Sequence, residues 1–174
     1  MSATARSTEE SPTIDLTALQ HMTYVELDEL YRNSRRPSHL ADLNGDAIGA
    51  MLACRKPATG PLASLLRSFG SSSTLPWKGK SFLSQDDNSG EGINRVTFFG
   101  KRRWFPFKTR FGSSFLDGKP TFVLDYSARA NPPFIRSIVD EVREVAPGLY
   151  FGPAALLVKG RPKPVLFFTV SLQK

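Results

Sequence analysis

Between Trp77 and Tyr126 the chain repeats one local texture. Runs rich in aromatic and β-branched residues, Trp77–Leu83, Ile93–Phe99, Arg102–Phe111 and Thr121–Tyr126, are separated by the turn formers Asp86-Asp-Asn-Ser-Gly90, Gly100 and Asp117-Gly118. Such residues pack well on a pleated surface, and the spacing predicts an antiparallel meander. Two further runs, Leu149–Val158 and Val165–Leu172, flank the turn Gly160-Arg-Pro-Lys-Pro164. Ala47–Cys54 fits a strand or a short apolar helix, which periodicity does not separate, and its flanking glycines favour a strand. The count is about seven strands, and closing them on themselves removes the edges that invite aggregation. The expected fold is therefore mainly β, a small antiparallel barrel whose interior holds side chains or one small ligand.

Two or three short helices are expected over the barrel ends. Thr23-Tyr-Val-Glu26 has capping-box spacing and opens a helix to about Arg32, before Pro37. Thr59-Gly-Pro61 precedes Leu62, Leu65, Leu66 and Phe69 at helical spacing. After Asn131-Pro-Pro133, the residues Phe134, Ile135, Ile138, Val139, Val142 and Val145 form an apolar stripe against Arg136, Asp140, Arg143 and Glu144, which reads as an amphipathic helix ended by Pro147-Gly148. On that reading Asp140-Glu-Val-Arg-Glu144 is a solvated helix face. Residues 1–20 are expected to be a flexible tail and 21–174 a single barrel domain.

Composition narrows the chemistry. Of 174 residues, 23 are Lys or Arg and 16 Asp or Glu, a net charge of +7, which leaves anionic partners open. One cysteine, Cys54, excludes an intramolecular disulfide, and with two histidines it gives no reason to expect a metal or cofactor. Met1–Pro12 lacks the apolar segment of a signal peptide, Glu9 and Glu10 argue against a transit peptide, and no apolar run reaches the roughly 20 residues of a membrane span. A cytoplasmic protein is the expectation.

The order Leu43-Asn-Gly45, Pro76-Trp-Lys-Gly-Lys-Ser-Phe82, Ile93-Asn-Arg95, Phe115-Leu-Asp-Gly-Lys-Pro120, Val123-Leu-Asp-Tyr126 and Asp140-Glu-Val-Arg-Glu-Val-Ala-Pro-Gly-Leu-Tyr150 resembles a group of small bacterial lipocalin-like, calycin-type proteins. Members carry a Trp-x-Gly-Lys strand and a late Pro-Gly-Leu-Tyr segment, and most have no assigned activity. The resemblance spans about residues 44–172 and implies a lipocalin-like barrel. It assigns no ligand.

The chemistry-bearing residues fall in or beside the aromatic strands. From Asn94 to Leu116 there are six cations, Arg95, Lys101, Arg102, Arg103, Lys108 and Arg110, and no acid, interleaved with Phe98, Phe99, Trp104, Phe105, Phe107, Phe111 and Phe115. Strand parity puts Phe105, Phe107 and Phe111 on one face and Trp104, Lys108 and Arg110 on the other. Arg95 and Asp125 interrupt apolar strands and would form a buried pair if both pointed inward. Trp77, Lys80, Tyr126 and Tyr150 complete the set of ligand-binding candidates. Thirteen phenylalanines exceed what a compact aliphatic core requires.

Three functions fit these residues. The leading one is binding of an apolar or amphipathic small molecule, anionic if it meets a cation, by Trp77, Lys80, Arg95, Phe105, Phe107, Arg110, Tyr126 and Tyr150. The second is a cofactor-independent isomerase or cyclase in which Asp125 or Tyr126 is the acid/base and Arg95 stabilises negative charge. The third is a nucleic-acid or acidic-partner surface along 101–110, which no nucleic-acid-binding motif supports.

Overall fold

A computed structural model describes residues 14–55, 77–97 and 101–172. Eight strands form a closed antiparallel barrel in chain order: β1 (Gly45–Cys54), β2 (Trp77–Ser84), β3 (Ser89–Thr97), β4 (Lys101–Ser113), β5 (Pro120–Asp125), β6 (Ile138–Ala146), β7 (Leu149–Val158) and β8 (Arg161–Ser171). Pairing of β1 with β8, from Ile48 opposite Ser171 to Cys54 opposite Leu166, shuts the sheet. The mainly β, closed-barrel expectation and the strand at 47–54 both hold. No helix among the described residues is long and apolar enough to cross a membrane.

The eighth strand is a correction. Residues 138–146, expected as the C-terminal half of an amphipathic helix, are β6, preceded only by a 3-10 turn over Ile135–Ser137. Ile138 and Val142 belong to the barrel core, whereas Val145 packs under the outer helices. A strand covered on both faces is apolar at both parities, and the alternation that marks a half-exposed strand disappears. The helix expected from Thr59 to Phe69 lies outside the described residues.

Among the described residues, two helices precede the barrel. α2 (Tyr24–Asn33) starts where the sequence places it: Thr23 Oγ1 accepts from the Glu26 amide and the Glu26 carboxylate accepts from the Thr23 amide. α1 (Leu16–His21), capped by Asp15, falls in the segment expected as a tail, and its Leu19 is fully buried. The reason is an apolar target: Leu19, Leu27 and Tyr31 pack on Leu149, Phe151 and Phe167, which project from the outer face of β7 and β8.

There are thus two cores. The inner one fills the barrel with Phe82, Phe107, Phe122, Leu124, Val142, Tyr150, Leu166, Phe168 and Val170, and Leu40 and Leu43 from a 3-10 turn (Leu40–Leu43) join it. The outer one lies between barrel and helices and is bolted by polar groups. Tyr31 donates to the Glu141 carboxylate at 2.9 Å, the Phe115 amide donates to its other oxygen at 2.7 Å, and Arg143 meets Asp117 through two 2.8 Å bonds. All five Arg143 N–H groups have acceptors, the others being the Tyr31, Lys119 and Pro120 carbonyls.

Strands β6 and β7 lie close together at Gly152, where an added Cβ would sit 1.8 Å from the Glu141 carbonyl oxygen. Gly152→Ala is expected to cost on the order of 3 kcal/mol or more, because the backbone itself must move. Urea unfolding measures it, and a loss below about 0.5 kcal/mol, the level of an ordinary surface change, would refute the close approach. At the β7–β8 hairpin, Lys159 and Gly160 take positive φ of 51° and 76°, the turn that matches strand twist.

Candidate functional site

Inside the barrel, β2, β3, β5 and β6 each contribute or position one polar side chain. Lys80 on β2 lies opposite Asn94 on β3, Tyr126 follows the end of β5, and Asp140 on β6 is two residues beyond Ile138 on the same face. All four are buried. The Lys80 ammonium donates to Tyr126 Oη, to Asp140 Oδ2 at 3.0 Å and to Asn94 Oδ1 at 3.1 Å. Asn94 Oδ1 also accepts from the Trp77 indole at 2.9 Å, and its amide nitrogen donates to the Phe105 carbonyl and to Tyr126 Oη, both at 3.2 Å. Tyr126 donates to Asp140 Oδ2 at 3.2 Å.

Phe105 can serve Asn94 because β4 bulges there. The ladder skips Phe105, pairing Asn94 with Trp104 and Ile93 with Pro106, and Phe105 adopts φ 59°. Its carbonyl is thereby freed from strand pairing and turned to the amide.

Aromatic rings surround the ammonium. Lys80 Nζ lies 4.9 to 5.5 Å from the ring centroids of Phe168, Tyr126, Phe107 and Trp77. Ring faces and the Asp140 carboxylate compensate part of the lost hydration. Burial still pushes the Lys80 amine below the ordinary lysine value, with Asp140 opposing it. Tyr126 is pushed well above the ordinary phenol value, first by burial and then by the adjacent carboxylate.

The cluster forms one wall of a cavity of about 100 Å³. Its remaining lining is apolar, chiefly Met51, Val96, Ile135, Ile138, Ala154 and Leu166. Asp140 Oδ1 is buried there without a hydrogen-bond partner among the described residues. A charged pair, two neutral hydrogen-bonding groups and an otherwise apolar lining can orient one small molecule.

Of the residues expected to bind a ligand, Trp77, Lys80, Phe105 and Tyr126 line this cavity. Phe107 is in the inner core with its ring against Tyr126. Tyr150 shares that core, but its hydroxyl donates to the Asp42 carbonyl at 3.2 Å. Arg95, Arg110 and Asp125 are elsewhere. Arg95 lies across the outer face from Asp46 and donates to the Ala47 carbonyl, Arg110 is exposed, and Asp125 accepts from the Ser127 amide in the turn after β5. The inward Arg95–Asp125 pair does not form, because both belong to the outward parity of their strands.

Asn94 and Asp140 were not singled out from sequence. Asn94 carried a signal, since it shares parity with Val96 and faces Lys80 once β2 and β3 pair. Asp140 was hidden by the helical reading of its segment, which made a buried carboxylate look like a solvated one.

Along β4, Phe105, Phe107 and Phe111 pack against the inner core, as parity predicted, and Trp104 is 41% exposed. Arg103 meets Asp46 at 3.3 Å and Lys108 lies opposite Glu91. Arg103, Lys108 and Arg110 thus lie on the outer surface of a wall whose phenylalanines, within the described residues, are turned inward or half-buried.

A crystal structure of a protein from Thermomonospora curvata has the same fold. The two superpose with a TM-score of 0.55 at 18% sequence identity, over 87% of this chain and 88% of that one. No family model matches the chain, and no curated protein matches it either. The likeness fixes the architecture, and the chemistry rests on the residues inside the barrel.

Proposed function

We propose that the protein is a binding module that holds one small, largely apolar molecule inside the barrel, against the Lys80–Asp140 pair. The observation that carries this reading is the conjunction of an apolar cavity with an oriented, buried polar cluster at one wall. Burying four polar side chains is costly unless they are fully paired, and apolar residues of similar volume would often be at least as stable. At about 100 Å³ the cavity is on the scale of one small ring, since an apolar cavity of about 150 Å³ accepts benzene.

Thermal unfolding of the purified protein in the presence of small aromatic and alicyclic compounds tests it. A compound at about 100 times its Kd is expected to add roughly 2.7 kcal/mol of stability. Ala154→Leu, which fills the cavity, is expected to abolish the shift while the barrel stays folded. The reading fails if no compound raises the wild-type melting temperature, or if the filled variant responds equally. An isomerase or cyclase reading would have to pass through Tyr126 and Asp140, because Asp125 and Arg95 face away from the cavity.

A further inference from the structure

Resting on the binding reading above, we infer that the ligand is a neutral hydrogen-bond donor, such as an alcohol, phenol or N–H heterocycle, held by Asp140 Oδ1, and that the site rejects carboxylates. The polar valences of the cluster lead there one by one. A lysine ammonium has three N–H groups, and those of Lys80 go to Asn94, Tyr126 and Asp140. The single Tyr126 hydroxyl proton goes to Asp140 Oδ2, while its oxygen accepts from Lys80 and Asn94. Both amide protons of Asn94 and the Trp77 N–H are also used.

What remains open is Asp140 Oδ1, an acceptor. The other buried, unpartnered side-chain oxygen among the described residues, Asn131 Oδ1, is not among the atoms of the cavity lining. A buried carboxylate oxygen left without a donor is costly, and a ligand O–H or N–H removes that cost.

Charge leads to the same class. Lys80 and Asp140 already neutralise each other at 3.0 Å with only about 5% of each side chain exposed. A carboxylate entering this wall would bring a second negative charge beside Asp140 and find every ammonium proton engaged. Hydrogen bonds to an ionised group are the strong ones, so one donor on the ligand gives most of the orientation. The rest of the lining asks only for an apolar body.

Calorimetric titration of the wild-type protein with phenol, fluorobenzene and benzoate separates the cases, because phenol and fluorobenzene match in shape and differ in the donor. Phenol is expected to bind about tenfold or more tightly than fluorobenzene, the ratio that one charge-assisted hydrogen bond supplies, and benzoate to give no detectable heat. In Asp140→Asn the phenol preference is expected to fall below about threefold. If that variant does not fold, the Lys80→Met/Asp140→Leu double variant, which removes both charges, is expected to bind the two rings alike. Equal affinity of phenol and fluorobenzene for wild type would overturn the donor inference while leaving the binding reading intact. Tighter binding of benzoate would overturn it in favour of an anion. Binding of none of the three would overturn both.

Discussion

Replacing Lys80 by Met, with Asp140 left in place, is expected to cost about 3–5 kcal/mol of stability at neutral pH, the range found when one partner of a buried ion pair is removed. Asp140→Leu is expected to cost a similar amount, since it leaves an ammonium whose three acceptors fall to two among aromatic rings. The double variant Lys80→Met/Asp140→Leu is expected to recover most of that loss, because two charges no longer have to leave water. Urea denaturation of the four proteins closes the cycle. Additive losses, or single losses under about 1 kcal/mol, would show that the pair is not buried and coupled as described.

The second large effect concerns the outer bolt. Arg143→Ala is expected to cost about 3–5 kcal/mol, because it removes a buried guanidinium that satisfies Asp117 and three carbonyls at once. Arg143→Lys is expected to rescue little, since an ammonium cannot make the paired bonds to Asp117 while reaching Tyr31, Lys119 and Pro120. In the wild type, the bonds from Arg143 hold the Asp117 carboxyl down to about 2. Its contribution is thus fully present above the unfolded value of about 3.9 and is lost as pH falls through the folded one. In Arg143→Ala this acid limb should flatten. An unchanged midpoint in Arg143→Lys, or an acid limb of unchanged steepness in Arg143→Ala, would count against the assignment.

Most of the barrel was legible because most of its strands are punctuated. Asp117-Gly118 and the Gly160 turn mark real reversals, and the capping box at Thr23 marks a real helix start. Trp77, Lys80 and Tyr126 were legible because each puts an indole N–H, an ammonium or a hydroxyl in or beside an aromatic strand, where burial requires it to be paired. What parity cannot say is which face is the interior. Arg95 and Asp125 sit in equally apolar runs, yet the apolar neighbours of Asp125 face outward with it, where Thr121 bonds Tyr31 on α2. Helix coverage of the wall gives an outward face the composition of an inward one. The same effect concealed β6, where Val145 answers to the helices and Val142 to the core. Its β-branched content, Ile138, Val139, Val142 and Val145, was the remaining signal for a strand.

Strand β6 carries ionic groups on both faces: Asp140 inward, Glu141 and Arg143 outward. A one-residue slip of a strand exchanges its two faces. For β6 the slip would carry Asp140 out of the barrel and push Glu141 or Arg143 into it, stranding Lys80, Tyr31 and Asp117 together. A purely apolar β6 would tolerate the shifted pairing, because both of its surroundings are greasy. The charges therefore make misalignment expensive, and they tie the alignment of the interior site to the docking of α2 through a single strand.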